Sequence, residues 1–328
     1  MLREQTAANP ARMSRALAGL RKYQEAPRRE PPPPAPILAT RHKAALRDYG
    51  GEGPPVLFIP SLINPPNVLD LDEERSLLRR LAEDGRRIFL LDWGWPDEAR
   101  HPMGIADHVA EIALPLIAEL PEPPDLVGYC LGGTMAAAAA QLTSVRSLVT
   151  IAAPWHFSAY PQSARDDLER LWNQVRPTVE SLGLLPMEAL QSAFWNLDPN
   201  RTIAKFESFS DLEGKEAETF VTLEDWANDG PPLSGAAARE MFEDFFAADR
   251  PGAGDWQVAG QTIRPEELDV PILNIVSTSD RIVPLSTAIR AGEQIALSQG
   301  HVGMVVGSAR ERLRQTLSDW LSRTAANC

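Results

Sequence analysis

Gly128-Tyr129-Cys130-Leu131-Gly132-Gly133 is the segment from which the architecture of this chain can be worked out. Apolar residues at 124–127 lead into it, and a helix-forming run at 134–142 follows it. A strand, a tight turn and a helix in this order are typical of a nucleophile elbow. The central residue of such a turn has strained backbone angles, so its neighbours must be small. The glycines at 128 and 132 meet this need, and the pattern predicts that the residue at 130 is a nucleophile.

Cys130 stands where most elbows carry serine. Its sulfur would lie at the N-terminus of the following helix, where the dipole and free N–H groups favour thiolate over thiol. The alternative interpretation is a buried structural cysteine beside a glycine-rich turn. The chain has one other cysteine, Cys328. A structural disulfide between the turn and the last residue is not expected, which indicates a reducing compartment.

Bulk composition narrows the class of protein. The 328 residues, 44% hydrophobic and 23% charged, suit one large α/β domain with an insertion, or two domains. No run approaches the roughly 18 apolar residues of a membrane span. The N-terminus lacks the apolar core of a signal peptide, so we expect a cytoplasmic protein. The net charge of −13 argues against a nucleic-acid partner, because phosphate binding needs a basic face.

The N-terminal segment has the opposite charge to the rest of the chain. Residues 1–30 hold seven Arg or Lys against three Glu, and Met13, Leu17 and Leu20 recur at helical spacing. A basic amphipathic helix of this kind binds a membrane-like surface or a partner; the alternative is a short mobile tail. The proline-rich residues 31–36 predict a semi-rigid spacer. We therefore expect residues 1–40 to be a separate, mobile tail and linker.

Strand-like and helix-like segments alternate from about residue 44, which predicts βαβ units and a mostly parallel sheet flanked by helices. Strands are predicted at 56–59, 87–91, 147–152 and 271–276, and helices at 75–84, 105–120 with an interruption at Pro115, 134–142 and 308–321. Residues 155–254 are mostly helical and rich in aromatics, which predicts a cap inserted into the sheet and lying over its active edge. The predicted core is then 41–154 and 255–328.

A cysteine nucleophile needs a base, and the base needs a group that orients it. In α/β hydrolases these occur in the chain order nucleophile, acid, histidine. Asp280 follows an apolar strand, and His301 follows Asp280 with glycines at 300 and 303 on either side. The other four histidines lie before the acid. We predict Cys130, Asp280 and His301 as a triad; the alternatives are a turn aspartate and a histidine that packs on the last helix.

The oxyanion of an acyl-transfer reaction needs backbone donors. One predicted donor is the N–H of Leu131, directly after the nucleophile. The other should come from the loop after the strand at 56–59, around Leu62. Ser61 in that loop lacks an elbow and is interpreted as scaffolding. The sequence contains no metal-ligand cluster, phosphate-binding glycine loop or nicotinamide fingerprint, so no cofactor or metal is expected.

Several segments of the chain resemble those of a known family. Residues 128–134 look like the lipase-like box of the polyhydroxyalkanoate (PHA) synthases, which use cysteine. Segments at 62–64 with 69–72, 91–96, 271–280 and 300–303 resemble its oxyanion segment, its next strand end and the segments bearing its acid and base. The helical segments 194–206 and 225–245 look closest to the short, class III-type catalytic subunit. The resemblance covers roughly residues 50–310.

The resemblance implies an α/β-hydrolase fold and an acyltransferase that polymerises (R)-3-hydroxyacyl-CoA with release of coenzyme A. Coenzyme A is then part of the substrate and not a cofactor. Cys130 would carry the growing thioester, His301 would deprotonate the thiol and then the incoming hydroxyl, and Asp280 would orient His301 or assist in activating that hydroxyl. A second subunit, a homodimer or the surface of a polymer granule stay open as partners.

Two departures from the family pattern stand at the predicted pocket mouth. Arg281 replaces a histidine that usually follows the acid, and Pro65-Pro66-Asn67 replaces a segment that usually carries a basic residue and a tyrosine. A cysteine hydrolase on the same scaffold (a thioesterase, esterase or lactonase) is therefore the alternative function. A catalytically silent scaffold or partner subunit is a third, against which the complete triad argues. Monomer chain length and oligomeric state are not specified by the sequence.

Overall fold

A mostly parallel sheet organises the protein. The computed structural model describes residues 5–7 and 9–326, and within them eight strands form the main sheet in the order β1-β2-β4-β3-β5-β6-β7-β8. These strands are β1 (Ile37–Arg41), β2 (Ala44–Gly50), β3 (Pro55–Ile59), β4 (Arg87–Asp92), β5 (Asp125–Tyr129), β6 (Ser147–Ile151), β7 (Ile272–Ser277) and β8 (Glu293–Leu297). From β4 to β8 every neighbouring pair is parallel, whereas β2 pairs antiparallel with β1 and β4. The predicted α/β class is confirmed.

The central strands form where the sequence is continuously apolar. Every residue of β3, β5, β6 and β7 is buried, as expected for parallel strands covered on both faces. The helix Leu131–Leu142 packs against β5 and β6. Its first ten residues are all buried, and five are consecutive alanines at 136–140. Small side chains allow this helix to lie close to the sheet, which holds the start of the helix firmly beside the end of β5.

Helices connect the strands. Those that accompany the main sheet are Leu77–Glu83, the continuous run from Ile105 to Ile117, Leu131–Leu142, Gln162–Leu182, Gly235–Arg239 continued by Glu240–Ala247, Arg250–Ala253, Gly303–Val306 and Arg310–Ala326. The predicted interruption at Pro115 takes another form. The helix continues through Pro115, and the wider π-helical turn His108–Ala113 comes directly before it. Such a turn relieves the clash of the proline ring with the preceding carbonyls.

Three strands of the main sheet were not predicted. Two of them, β1 and β2, form an antiparallel hairpin, and Ile37–Thr40 therefore belong to the sheet and not to a mobile linker. The third, β8, has three apolar residues among five, of which only Leu297 is buried, and it pairs with β7 alone. An edge strand needs little burial, so its sequence carries a weak signal.

Two compact units divide the chain differently from the predicted domains. Residues 32–186 and 231–328 form one unit, and residues 187–230 form the other with the described part of residues 1–31. The predicted cap at 155–254 is therefore split: its outer thirds belong with the sheet. The predicted tail is split as well, because its helix Pro10–Glu25 belongs with residues 187–230.

The smaller unit contains the helices Pro10–Glu25, Met187–Leu197, Pro199–Phe209 and Gly214–Asn228. Helices Pro10–Glu25 and Pro199–Phe209 lie against each other. Gly19 makes this possible, since a Cβ there would overlap the carbonyl oxygen of Phe206. The ring of Tyr23 lies against Phe206 and Phe220, with centroids 6.0 and 6.5 Å apart, and its hydroxyl donates to Asp225 at 2.6 Å.

Basic residues of the N-terminal helix, and of the short segment that follows it, have acidic partners within this unit. Arg12 and Arg15 contact Glu207 at 2.8 and 3.3 Å, Arg28 contacts Asp225 at 2.9 Å, and Arg29 contacts Glu218 at 2.6 Å. The sequence suggested a basic face for a membrane-like surface or a partner. Instead, much of that charge is compensated by acidic side chains almost 200 positions away, which no local pattern reveals.

Candidate active site

Cys130 lies in a strained turn between the end of β5 and the start of the helix Leu131–Leu142. Its φ and ψ are 56° and −132°, outside the regions that side-chain-bearing residues usually adopt. The Cys130 N–H donates to the carbonyl of Ile151 at 2.9 Å, and its own carbonyl accepts from Gly133 N–H at 2.8 Å. These two bonds hold the turn in place. Cys130 is a free thiol, and Cys328 lies outside the described residues.

The glycines around Cys130 are required by close approaches of the backbone. A Cβ on Gly128 would lie 2.6 Å from the carbonyl oxygen of Gly132. A Cβ on Gly132 would overlap the carbonyl oxygen of Ile59 and lie 2.5 Å from the carbonyl group of Pro60. Real side chains do not occupy such positions. The elbow is thus pressed against the loop that follows β3.

Asp280 and His301 follow neighbouring parallel strands, β7 and β8, at the same edge of the sheet as Cys130. The Nδ1 atom of His301 lies 2.7 Å from Oδ2 of Asp280. The Asp280 side chain is fully buried, and its Oδ1 accepts from the N–H groups of Ile282 and Val283 at 2.8 and 3.0 Å. The Cys130 side chain lies close enough to the imidazole to raise its pKa. Since Nδ1 is bonded to Asp280, Nε2 is the atom left for the sulfur.

The charges around His301 favour its protonated form. Burial by itself would lower the pKa of His301, but the negative charges of Cys130 and Asp280 and their hydrogen bonds raise it to about 10. An imidazolium between a thiolate and a carboxylate is the arrangement that a cysteine nucleophile needs.

Four further hydrogen bonds join the segment that carries Asp280 to the segment that carries His301. Ser277 Oγ donates to the carbonyl of Gln299 at 2.5 Å, and Ser279 Oγ donates to the carbonyl of Ser298 at 2.7 Å. The N–H and the Oγ1 of Thr278 both donate to the carbonyl of Leu297, at 2.9 and 3.3 Å. The glycines on either side of His301 suggest a loop that brings the imidazole close to other backbone. That interpretation is not supported, because a Cβ on Gly300 would have no neighbour closer than 3.8 Å, and one on Gly303 none closer than 3.6 Å. The side chains at 277–279 join the two loops instead.

Two tyrosines complete the surroundings of the site, and sequence analysis gave neither a role. The ring of Tyr129 stacks on His301 with centroids 5.0 Å apart, and its hydroxyl donates to the His301 carbonyl at 3.3 Å. Burial raises the pKa of Tyr160, and the nearby charges of Cys130 and Asp280 raise it further. The residue directly before an elbow nucleophile was the available signal for Tyr129; Tyr160 follows β6 with no motif.

The two predicted oxyanion donors lie in suitable elements. Leu131 is the first residue of its helix, so its N–H has no carbonyl partner within that helix. Leu62 is buried in the loop after β3, where Ser61 Oγ accepts from the N–H of Ile63 at 3.0 Å. The contact of Gly132 with Ile59 and Pro60 brings this loop beside the elbow. The N–H groups of Leu131 and Leu62 are thus on adjacent segments.

The described residues were also searched for metal-binding clusters and membrane-spanning helices. Among the described residues no group of three or more His, Cys, Asp or Glu side chains could hold a metal ion. No helix in the described part of the chain has the length and apolar character needed to cross a membrane. Of the departures noted in the sequence, Arg281 is exposed and Pro66–Leu69 forms a short 3₁₀ turn.

Comparison with known proteins gives consistent results. The family model of the alpha/beta hydrolase fold matches residues 54–310. The chain is similar to the poly(3-hydroxyalkanoate) polymerase subunit PhaC of Thiocystis violacea, 27% identical over 82% of this chain and 80% of that protein. It is 28% identical to the Allochromatium vinosum protein of the same name over the same shares of the two chains.

Solved structures agree on the fold. An esterase from Thermogutta terrifontis is similar with a TM-score of 0.56 and 18% identity, over 90% of this chain and all of that one. A carboxylesterase structure from Nitrososphaera gargenis has a TM-score of 0.57 and 14% identity, over 89% of this chain and all of that one. At sequence identities this low, the similarity shows a shared fold and nothing about function.

Proposed function

Because the chain belongs to the alpha/beta hydrolase fold family and its curated relatives are poly(3-hydroxyalkanoate) polymerase subunits, we propose that it is a PHA synthase-like acyltransferase. The similarity to those relatives, which extends over 82% of this chain and 80% of theirs, carries the proposal. It confirms the resemblance seen in the sequence. The hydrogen bond between His301 and Asp280, and the proximity of Cys130 to His301, support the same chemistry.

The first step of the proposed reaction loads the acyl group onto Cys130. His301 takes the thiol proton, and the thiolate attacks the thioester carbonyl of an (R)-3-hydroxyacyl-CoA. The N–H groups of Leu131 and Leu62 would bind the oxyanion that forms. When the tetrahedral intermediate collapses, the bond to the coenzyme A sulfur breaks, and His301 returns the proton to that sulfur. Asp280 keeps the imidazole oriented through its 2.7 Å contact.

The second step forms the ester bond. His301 takes the proton of the hydroxyl group of the next hydroxyacyl-CoA, and the oxygen attacks the thioester on Cys130. The new ester forms as the bond to Cys130 breaks, and the proton passes to the sulfur. Cys130 then takes the lengthened chain from coenzyme A by repeating the first step. Exchange between two thioesters is nearly balanced in free energy, which suits sulfur as the carrier.

Product analysis tests the proposal. The protein is incubated with (R)-3-hydroxybutyryl-CoA, coenzyme A release is followed with a thiol reagent, and the acyl product is identified by mass spectrometry. We expect oligomeric or polymeric ester, and no product from Cys130→Ala. Stoichiometric free 3-hydroxybutyrate without any ester would contradict the synthase and identify a hydrolase on the same site.

We also propose that the active form contains a second chain, either another copy or a different subunit. The relatives from Thiocystis violacea and Allochromatium vinosum are both named as polymerase subunits, which supports this. A water-insoluble polyester would further place the growing end at the surface of a granule. Size-exclusion chromatography with light scattering, with and without substrate, tests the first part. A monomer with full activity would contradict it.

A further inference from the structure

Two buried side chains outside the triad lie at the carboxyl edge of β4, next to the oxyanion loop. Trp93 directly follows β4 and is 3% exposed, and Arg100 is 2% exposed. Neither has a part in the reaction as proposed above. A buried indole N–H and a buried guanidinium both need partners, so the partners they have indicate what they hold in place.

The indole of Trp93 binds the backbone that leads into the oxyanion loop. Its Nε1–H donates to the carbonyl of Pro60 at 2.9 Å. That same carbonyl group lies against the elbow, since a Cβ on Gly132 would be 2.5 Å from it. The Pro60 peptide is therefore fixed between Trp93 on one side and the elbow backbone on the other.

Leu62 lies between two fixed points. On one side is the Pro60 carbonyl, and on the other is the N–H of Ile63, which Ser61 Oγ accepts at 3.0 Å. A shift of Pro60 would rotate the short segment that carries the Leu62 N–H. A hydrogen bond to an oxyanion weakens steeply when the donor is misaligned. The hydrogen bond from Trp93 to Pro60 therefore affects how strongly the Leu62 N–H can bind an oxyanion.

Trp93 is itself held by Arg100. One guanidinium nitrogen of Arg100 donates to the Trp93 carbonyl at 2.5 Å, while its Nε has no hydrogen-bond partner among the described residues. Burial lowers the pKa of Arg100 to about 10, so the group stays charged at neutral pH. The ring of His108 closes another side of the indole, edge to face at 5.9 Å.

We propose that Trp93 is a positioning residue that aligns the Leu62 N–H for the oxyanion through the Pro60 carbonyl, and that Arg100 secures Trp93 in that place. The inference rests on the acyl transfer proposed above, but only on the step in which Cys130 is acylated. That step is common to a synthase and a hydrolase. Trp93 and Arg100 touch no reacting atom and act only through the loop.

Two reactions of Cys130 separate positioning from general structural damage. Alkylation by iodoacetamide needs the thiolate but forms no oxyanion, whereas acylation by (R)-3-hydroxybutyryl-CoA or p-nitrophenyl butyrate needs both. Trp93→Phe keeps a ring and loses the N–H. Trp320→Phe is the matched control: Trp320 is also 3% exposed, and its Nε1–H donates to Ser147 Oγ at 3.1 Å, at the amino end of β6.

We expect Trp93→Phe to lower the kcat of acylation on the order of tenfold, less than the loss seen when an oxyanion donor is removed outright. Its KM, its alkylation rate and the pH profile of alkylation should stay those of the unmodified protein. Arg100→Met should also lower the kcat of acylation without changing the alkylation rate, but by a smaller factor. Trp320→Phe should change neither reaction. If Trp93→Phe does not fold, the comparison of acylation with alkylation in Arg100→Met tests the proposal instead.

Three outcomes would overturn the inference: unchanged acylation in Trp93→Phe, an equal fall of acylation and alkylation, or the same split in Trp320→Phe. Failure of the proposed function has a different signature. If the unmodified protein yields only free hydroxy acid, the synthase proposal fails while the comparison of variants still stands. A protein that neither substrate acylates would overturn both.

Discussion

Sulfur at position 130 brings two properties that a serine oxygen would not. A thiol gives up its proton more readily than a hydroxyl, and its acyl derivative is a thioester of the same kind as the proposed acyl-CoA substrate. His301 lies where it can share that proton, and the carboxylate of Asp280 stabilises the imidazolium. In the proposed reaction, the distribution of charge among these three side chains determines how readily Cys130 reacts.

Replacing the sulfur tests this at the level of one atom. We expect Cys130→Ala to abolish turnover, and Cys130→Ser to fold normally but keep less than about 1% of the activity, because the same histidine ionises a hydroxyl far less readily. Coenzyme A release measures activity, and circular dichroism monitors the fold. Activity of Cys130→Ser close to that of the unmodified protein would contradict the role given to the thiolate.

Replacing the carboxylate of Asp280 tests whether its negative charge raises the pKa of His301. The pKa of His301 is raised from the ordinary 6.5 to about 10 by negative neighbours, so Asp280→Asn should lower it by removing one of them. Histidine NMR titration measures the shift, with His301→Gln to assign the signal. Cys130→Ala should lower the pKa as well, since it removes the largest stabilising charge. An unchanged or higher pKa in both variants would refute this account.

Among the elements, the strand-turn-helix from β5 to the helix Leu131–Leu142 positions the nucleophile by close packing of backbone on backbone. Its glycines are not interchangeable with other glycines near the site. A Cβ on Gly132 would overlap carbonyl groups of the neighbouring segment, whereas a Cβ on Gly300 would make only an ordinary contact, with its nearest neighbour at 3.8 Å. The difference lies in which segment passes nearby, and not in the backbone angles of either residue.

A pair of alanine substitutions distinguishes the two glycines. Gly132→Ala should lower the free energy of unfolding by about 3 kcal/mol or more, since the overlap is with rigid backbone and exceeds that of ordinary overpacking. Gly300→Ala should change it by less than about 0.5 kcal/mol. Urea denaturation measures both. Equal stability of the two variants would show that the backbone around the elbow can shift to accommodate a side chain at position 132.

For the whole molecule, parallel strands bring together residues that are far apart in sequence. The carboxyl ends of β5, β7 and β8 share one edge of the sheet, so Cys130, Asp280 and His301 meet there. In the smaller unit a comparable long-range match joins the helix Pro10–Glu25 to Pro199–Phe209, through Gly19 and through ion pairs with acidic side chains.

The match between these helices predicts the behaviour of the N-terminal segment. Gly19→Ala should force the helix Pro10–Glu25 away from Phe206 and expose it to trypsin, which cleaves after arginines such as Arg15 and Arg21. Ala18→Ser, on the exposed side of the same helix, is the control. Limited proteolysis followed by mass spectrometry should show faster cleavage in Gly19→Ala alone. Equal cleavage of the two variants would indicate that the helix does not depend on this contact.

The amino-acid sequence alone was sufficient to predict the elbow turn, the parallel sheet, the family, and the position of Asp280 and His301 in loops that follow strands. Each of these is encoded in adjacent residues: small residues around a strained turn, apolar runs for buried strands, and polar residues directly after them. The weakly apolar strands β1, β2 and β8 were missed, because an edge or hairpin strand gains stability from its partner more than from its own side chains.

Folding in three dimensions decided the rest. The serines and threonine that join the Asp280 and His301 loops, the stacking of Tyr129 on His301, the hold of Trp93 on Pro60, and the pairing of N-terminal bases with distant acids all depend on contacts between remote segments. A hydrogen bond or an ion pair forms only between atoms within a few ångströms of each other. The order of residues along the chain does not determine that distance until the sheet and the helices have brought the segments together.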